Sequence, residues 1–274
     1  MSLMAASRYP KISVVTPSFN QAAYLERTIR SVIDQQYPNL EYIIIDGGSV
    51  DGSVEIIKKY EPYLTYWISE RDNGQVDAIN KGLRRATGEW VAWQNSDDIY
   101  YPGALDELAE AIRIHPEASL IIGDLMLIDH DEKKIRDVRY IKPEYHALLA
   151  EGMLIANQSS FWRRELHEKI GYLDENYHCS FDYEWFLRVA EHAKGIHISS
   201  VWGALRYHDE TKTSTMTERF LSEQKQILAG RMMPEWRRYI YKLRRLCLML
   251  LEGQYDYVFR GLRKFVAGQK GGQV

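Results

Sequence analysis

Two short acidic turns, each closing an apolar run, carry the residues of this chain best placed to do chemistry. Tyr42-Ile43-Ile44-Ile45 leads into Asp46-Gly47-Gly48-Ser49, and Trp90-Val91-Ala92-Trp93-Gln94 leads into Asn95-Ser96-Asp97-Asp98. Open α/β sheets bind ligands outside the carboxyl ends of their strands, so carboxylates there suit a ligand better than a core. One acid in such a turn can read a nucleobase or a ribose. Two adjacent acids repel unless a cation stands beside them, and a divalent metal held against a diphosphate is a natural partner. The other reading of Asp97 and Asp98 is capping of a helix that begins near Pro102.

The elements that position these turns follow from hydrophobic periodicity. Ile12–Thr16 reads as a buried strand and Gln21–Gln36 as a helix, with Asn20 as its N-cap and Pro38 as its stop. Leu40–Ile45, Leu64–Ser69 and Glu89–Gln94 read as strands, and Ser53–Tyr60 and Val76–Ala86 as helices, with Gly88 just past the second. This β-α-β-α-β-α-β order predicts a parallel sheet with helices on both faces. Further on, Pro102–His115 reads as a helix, Ser119–Asp129 and Ile135–Tyr140 as a strand pair, and Gln158–Trp162 as a strand. Arg164–Ile170 and Asp182–His192 read as helices, and Ile196–Ile198 and Val201–Tyr207 as two strands. The chain beyond Met216 reads as mostly helical, and the tail Gly268–Val274 is expected to be disordered.

The 274 residues suffice for one large α/β domain with an appendage. Two distant cysteines argue against a disulfide framework or a cysteine-based zinc site and fit a reducing compartment. No signal-peptide core or run of 18 apolar residues is present. Charge is uneven: residues 231–274 hold ten Lys and Arg against three Asp and Glu, in a chain of net charge −3. No G-x-G-x-x-G follows the first strand, against a dinucleotide oxidoreductase. No Gly-rich basic loop is there either, against a nucleotidyltransferase.

Five motifs occur in order: Thr16-Pro17-Ser18-Phe19-Asn20, Asp46-Gly47-Gly48-Ser49-Val50-Asp51-Gly52, Asp77-Ala78-Ile79-Asn80-Lys81-Gly82, Ala86-Thr87-Gly88-Glu89 and Asn95-Ser96-Asp97-Asp98. Together they resemble the family 2 glycosyltransferases, enzymes of GT-A fold that use nucleotide sugars and invert the anomeric centre. The resemblance spans roughly residues 11–215 and implies a GT-A domain over 1–215 with a helical, basic extension over 216–274. It implies a nucleotide site formed by Thr16, Pro17, Phe19, Asn20, Asp46, Asp77, Asn80 and Asp97. Asp46 would accept a hydrogen bond from a uracil or thymine edge, and Phe19 would pack on the base. Asp77 and Asn80, three apart on one helix face, would line the site, a surface or capping role being the alternative. Asp97 would take a ribose hydroxyl or share the metal. Asp98 would bind the metal directly, with His208 completing its shell, and manganese or magnesium is the implied ion.

Ser180-Phe181-Asp182-Tyr183-Glu184 is similar to the family's acid-then-helix segment and makes Asp182 the implied catalytic base. N-capping is its other role, and Glu184 is the fallback base. The chain departs from the family pattern at Gly47, where a second Asp is common, and at Phe181, where an acid is common. Asn157, Gln158 and Trp162 are candidates for an acceptor pocket. The implied donor is a UDP- or dTDP-sugar, and the implied acceptor a bacterial-type surface glycan or its lipid-linked precursor. A non-catalytic glycan-binding or scaffold domain is the alternative. Arg237, Arg238, Lys242, Arg244 and Arg245, interleaved with apolar residues, suit either an anionic membrane surface or packing on the main domain. A cytoplasmic protein, peripheral at the inner membrane face, is the expectation, with no nucleic-acid partner.

Overall fold

A computed structural model describes residues 9–208 and 216–266. The predicted tail at Gly268–Val274 lies outside the described residues. The first half is a Rossmann-like unit: β1 (Ile12–Ser18), α1 (Ala22–Ile33), β2 (Leu40–Asp46), α2 (Ser53–Tyr60), β3 (Tyr66–Ser69), α3 (Gln75–Arg85) and β4 (Trp90–Trp93). Its strands lie in the order β3-β2-β1-β4, all parallel, as the alternating pattern predicts. β1 is buried along its whole length because it sits between β2 and β4. Ile12, Val14 and Val15 need no polar face there.

Past β4 the chain gives β5 (Ile99–Tyr100), α4 (Ala104–Ile114), β6 (Leu120–Ile128), β7 (Lys134–Val138), α5 (Tyr145–Glu151), β8 (Ser160–Arg163), α6 (Leu166–Ile170), α7 (Phe181–His192) and β9 (Gly195–Arg206). β8 joins the sheet antiparallel to β4, and β6, β9 and β5 follow it, so one mixed nine-stranded sheet spans the domain. β6 and β7 form the expected antiparallel pair. Three helices follow among the described residues: α8 (Thr217–Ile227), α9 (Glu235–Leu251) and α10 (Tyr255–Val266).

Several local expectations change. The N-cap of α1 is Gln21, and Asn20 instead adopts φ +50 and accepts the Val50 N–H at 3.0 Å, tying two site loops together. Gly88 does not close α3: a Cβ there would lie 2.4 Å from Ser13 Oγ, which takes the Gly88 N–H. The two short strands predicted after α7 are one strand, β9, bulged against β6 near Asp124. Residues 157–159 form a 3-10 turn and not the start of a strand.

The core lies on both faces of the sheet. Trp93, Trp162, Trp185 and Phe186 pack as an aromatic block beneath the end of β4, with ring centroids 5.3–6.1 Å apart. α8 joins this core through Ile227, whereas α9 and α10 pack through a small separate cluster of Ile141, Met249 and Val258.

Candidate active site

The turn after β4 is held from four directions. Thr28 of α1 donates to the carbonyls of Ser96 and Asp98 at 2.9 and 2.7 Å. Gln75, at the start of α3, donates to Asn95 Oδ1 at 3.0 Å. Asp98 is buried and accepts from Asn95 Nδ2, Gln158 Nε2 and the Arg206 N–H at 2.9, 2.7 and 2.9 Å. Burial first, then the neighbouring Asp97 charge, push its carboxyl well above the usual range against those hydrogen bonds. With both oxygens committed inward, Asp98 fastens the turn to β9 and the 157–159 turn. Asp98 is the residue the family resemblance implies as direct metal ligand, and here its partners are Asn95, Gln158 and the Arg206 N–H.

Asp97 takes the outward position. Its side chain keeps 22% exposure, and its Oδ2 stands 3.2 Å from Nε2 of His208, just past β9. Tyr24 packs against the His208 ring, tilted by 35° with centroids 4.8 Å apart. Buried Arg206 anchors this corner by donating to the Asp97 carbonyl and pairing with Glu132. Two ligands at right angles on bonds of about 2.1 Å stand about 3 Å apart, so an oxygen and an imidazole nitrogen at this separation fit one octahedral divalent ion. The residues able to hold a metal are therefore Asp97 and His208, with remaining positions open to phosphate oxygens and water. No group of three or more His, Cys, Asp or Glu is assembled among the described residues.

The loops after β1, β2 and β3 meet at the other side of the site. Thr16 and Pro17 are buried, and Thr16 Oγ1 bonds Tyr42 Oη at 3.0 Å. Both stand at the carboxyl end of β1, where the nucleotide site is expected. Phe19 is 59% exposed, an aromatic with an open face at the mouth of the site. Asp46 is fully buried. Ser49 Oγ bonds its Oδ1, and the Gly48 N–H, the Ser49 N–H and Ser69 Oγ bond its Oδ2. Its carboxylate ties the loop after β2 to itself and to Ser69. Asn80 is likewise spent, exchanging hydrogen bonds with both backbone groups of Leu173 and bonding Glu175. It joins α3 to the loop before α7. Asp77 accepts the Asn73 N–H and pairs with Lys81. It borders a cavity of about 170 Å³ between the start of α3 and residues 175–178.

Asp182 lies in the first turn of α7, half-buried, while Ser180 takes the N-cap position. Phe181 packs on Trp93 with centroids 6.3 Å apart, which brings this turn to the carboxyl end of β4. The fallback base Glu184 is locked to Arg188 at 2.6 Å, and Arg188 also holds the carbonyls of Ile170 and Tyr172. The acceptor-pocket candidates Asn157, Gln158 and Trp162 are buried, and Trp162 Nε1 donates to His167.

Reading along the chain missed one supporting carboxylate altogether. Glu223 of α8 accepts the N–H groups of His178, Cys179 and Ser180 at 3.0, 2.8 and 2.8 Å and is braced by Arg219 at 2.9 Å. Burial opposes its charge, but the three N–H groups and Arg219 outweigh that and hold its carboxyl down at about 2. No local signal marks Glu223 or Arg206, or the bond from Gln158 to Asp98, because each acts on residues far away in sequence.

The profile of Glycosyl transferase family 2 matches residues 13–171. The chain belongs to that family. An uncharacterized glycosyltransferase of Mycobacterium tuberculosis is 35% identical over 185 residues, covering 66% of this chain and 69% of the relative. A putative teichuronic acid biosynthesis glycosyltransferase of Bacillus subtilis is 40% identical over 106 residues, covering 37% of this chain and 41% of its own. Among solved structures, S. aureus TarS 1-349 in complex with UDP-GlcNAc superposes with TM-score 0.67 at 18% identity, over 83% of this chain and 69% of that one. The mannosyltransferase PcManGT of Pyrobaculum calidifontis, in complex with GDP-Man and Mn2+, gives 0.59 at 18% identity, over 96% and 76%. This family 2 glycosyltransferase therefore has the GT-A fold, with a helical C-terminal segment, and is an enzyme.

Proposed function

We propose that this glycosyltransferase moves a sugar, with inversion, from a UDP- or dTDP-sugar to a hydroxyl of a surface glycan or its lipid-linked precursor. The observation that carries the reading is the Asp97–His208 pair at the end of β4, with the α7 turn that bears Asp182 packed beside that strand. Asp97 and His208 would hold a divalent cation, which would supply Lewis-acid stabilisation to the departing diphosphate. Asp182 takes the acceptor hydroxyl proton as that oxygen bonds the anomeric carbon. The bond from the anomeric carbon to the diphosphate oxygen breaks on the opposite face, and the nucleoside diphosphate leaves with the electron pair. One displacement gives one inversion. Thermal shift with UDP, dTDP, GDP, ADP and CMP, with and without Mn2+, tests the donor and the metal together. A metal-dependent rise confined to UDP and dTDP is expected, and no rise with any nucleotide would overturn the reading.

A lipid-linked acceptor calls for a membrane-facing surface, and α9 offers one. Arg244 and Arg245 pair with Glu144 and Glu151, Arg238 donates to the Ala150 carbonyl, and Met249 is buried. Three of the five clustered basic residues thus hold the helix on the body. At 3.6 residues per turn, the face away from Arg238, Arg245 and Met249 carries Trp236, Tyr239, Ile240, Leu243 and Leu251, all exposed, with Arg237 and Arg244 along its flank. An outward apolar face with interfacial aromatics and a basic flank suits an anionic bilayer surface. No helix among the described residues is long and apolar enough to cross a membrane. Cosedimentation with phosphatidylglycerol vesicles should be lost on Leu243→Glu. Equal pelleting of that variant, or no pelleting of the wild type, would reject the membrane role.

A further inference from the structure

We infer that Asp72, and not Asp46, is the carboxylate that reads the nucleobase; the inference rests on the nucleotide-sugar reading above. The ends of β1, β2 and β3 stand side by side, with Ser18 paired to Asp46 and Asp46 to Ser69. The loops leaving these ends carry Phe19, Gly47 and Asp72. Asp46 is enclosed, with four hydrogen bonds from its own surroundings and no exposed surface. The residue after it is glycine, and the missing side chain leaves room that Asp72 fills. A Cβ on Gly47 would lie 2.7 Å from Asp72 Oδ2 and 3.0 Å from its carboxyl carbon. The turn after β3 therefore delivers a carboxylate to the place just beyond β2 where a side chain at 47 would begin.

The two oxygens of Asp72 have different surroundings. Oδ1 accepts the Gly74 N–H at 2.8 Å, which fixes the plane of the carboxylate. Oδ2 accepts no hydrogen bond among the described residues, and the side chain is half-buried. One oriented, partly desolvated acceptor matches a base that presents one ring N–H, as uracil and thymine do at N3. Cytosine has a lone pair at that position and is repelled. Guanine presents two adjacent donors, one more than the single open oxygen receives. The exposed ring of Phe19 offers a face on which such a base can stack. Asp46 keeps an indirect part, because the loop it folds holds Gly47 against Asp72.

Asp72→Asn separates these roles. The amide oxygen can keep the Gly74 bond while the NH2 group replaces Oδ2, turning the open acceptor into a donor. Isothermal titration of the full chain with UDP, dTDP, CDP and GDP in Mn2+ is the experiment, with N3-methyl-UDP as a probe that lacks the N–H. For the wild type, UDP and dTDP should bind best and N3-methyl-UDP weakly. In Asp72→Asn, UDP affinity should fall roughly tenfold to hundredfold, as expected for loss of a charge-assisted hydrogen bond, while CDP affinity rises. A merely structural role would weaken every nucleotide alike, and that uniform loss overturns the assignment. So does a variant that binds UDP as the wild type does, or a wild type that prefers GDP or tolerates N3-methylation. Those results leave the transferase reading standing, whereas a wild type that binds no nucleotide removes both.

Discussion

Glu223→Gln tests how the C-terminal part of the chain governs the catalytic segment. The carboxylate gathers three consecutive N–H groups at residues 178–180, directly before the helix that carries Asp182. Ser180 is the N-cap of that helix and His178 and Cys179 lie just before it, so the carboxylate sits at the helix N-terminus, where the helix dipole favours negative charge. Its pKa falls from 4.5 to about 2, and at about 1.4 kcal/mol per pH unit that drop corresponds to ~3 kcal/mol of stability. Because the folded-state pKa is the depressed one, this contribution is complete above about pH 5 and is lost as pH falls from 4.5 toward 2. Urea unfolding of wild type and variant at pH 7, 4 and 2.5 reads it directly. The difference in unfolding free energy should be about 2–3 kcal/mol at pH 7 and shrink steadily with acid. Hydrogen exchange at residues 178–183 should quicken at pH 7 in the variant, and transfer should slow with donor affinity kept. A difference that is the same at every pH would assign the loss to packing and refute the charge argument. A difference below about 0.5 kcal/mol at pH 7 would refute the clamp itself.

Other expectations follow from the same geometry. Asp182→Asn should keep donor binding and lose transfer by at least about 10²-fold, the lower range for a general base; a fully active variant would move the base elsewhere. Asp97→Asn should abolish the Mn2+ dependence of nucleotide binding with little change in melting temperature, whereas Asp98→Ala should mainly lower the melting temperature. The reverse ranking would restore Asp98 as the ligand. Gly203→Ala puts a Cβ 1.9 Å from the Gln158 carbonyl oxygen, so β9 and the 157–159 turn must part. A loss above about 3 kcal/mol is expected in urea unfolding, and near wild-type stability would contradict that contact.

The sequence by itself determined the first half of the sheet, because its signals are local. The apolar runs at 12–16 and 40–45 can only be buried strands, and Ser53–Tyr60 keeps the predicted bounds because its inward stripe and breakers lie within one short window. The order of acidic turns was legible for the same reason, since each turn directly follows its strand. β5 and α5 escaped because a two-residue strand and a seven-residue helix carry almost no period. The division of labour between adjacent acids was not legible either. Asp97 and Asp98 are chemically identical in sequence, and what separates them is Gln158, 60 residues on, and the Arg206 N–H, 108 residues on. Gly47 looked like a lost acid until the fold brought Asp72 against it. Residue types and strand ends thus determined which chemistry the site can do. Tertiary structure decided what each carboxylate is bonded to, because the partners come from distant segments: Asp98 is buried against Gln158 and the Arg206 N–H, while the Asp97 side chain keeps 22% exposure.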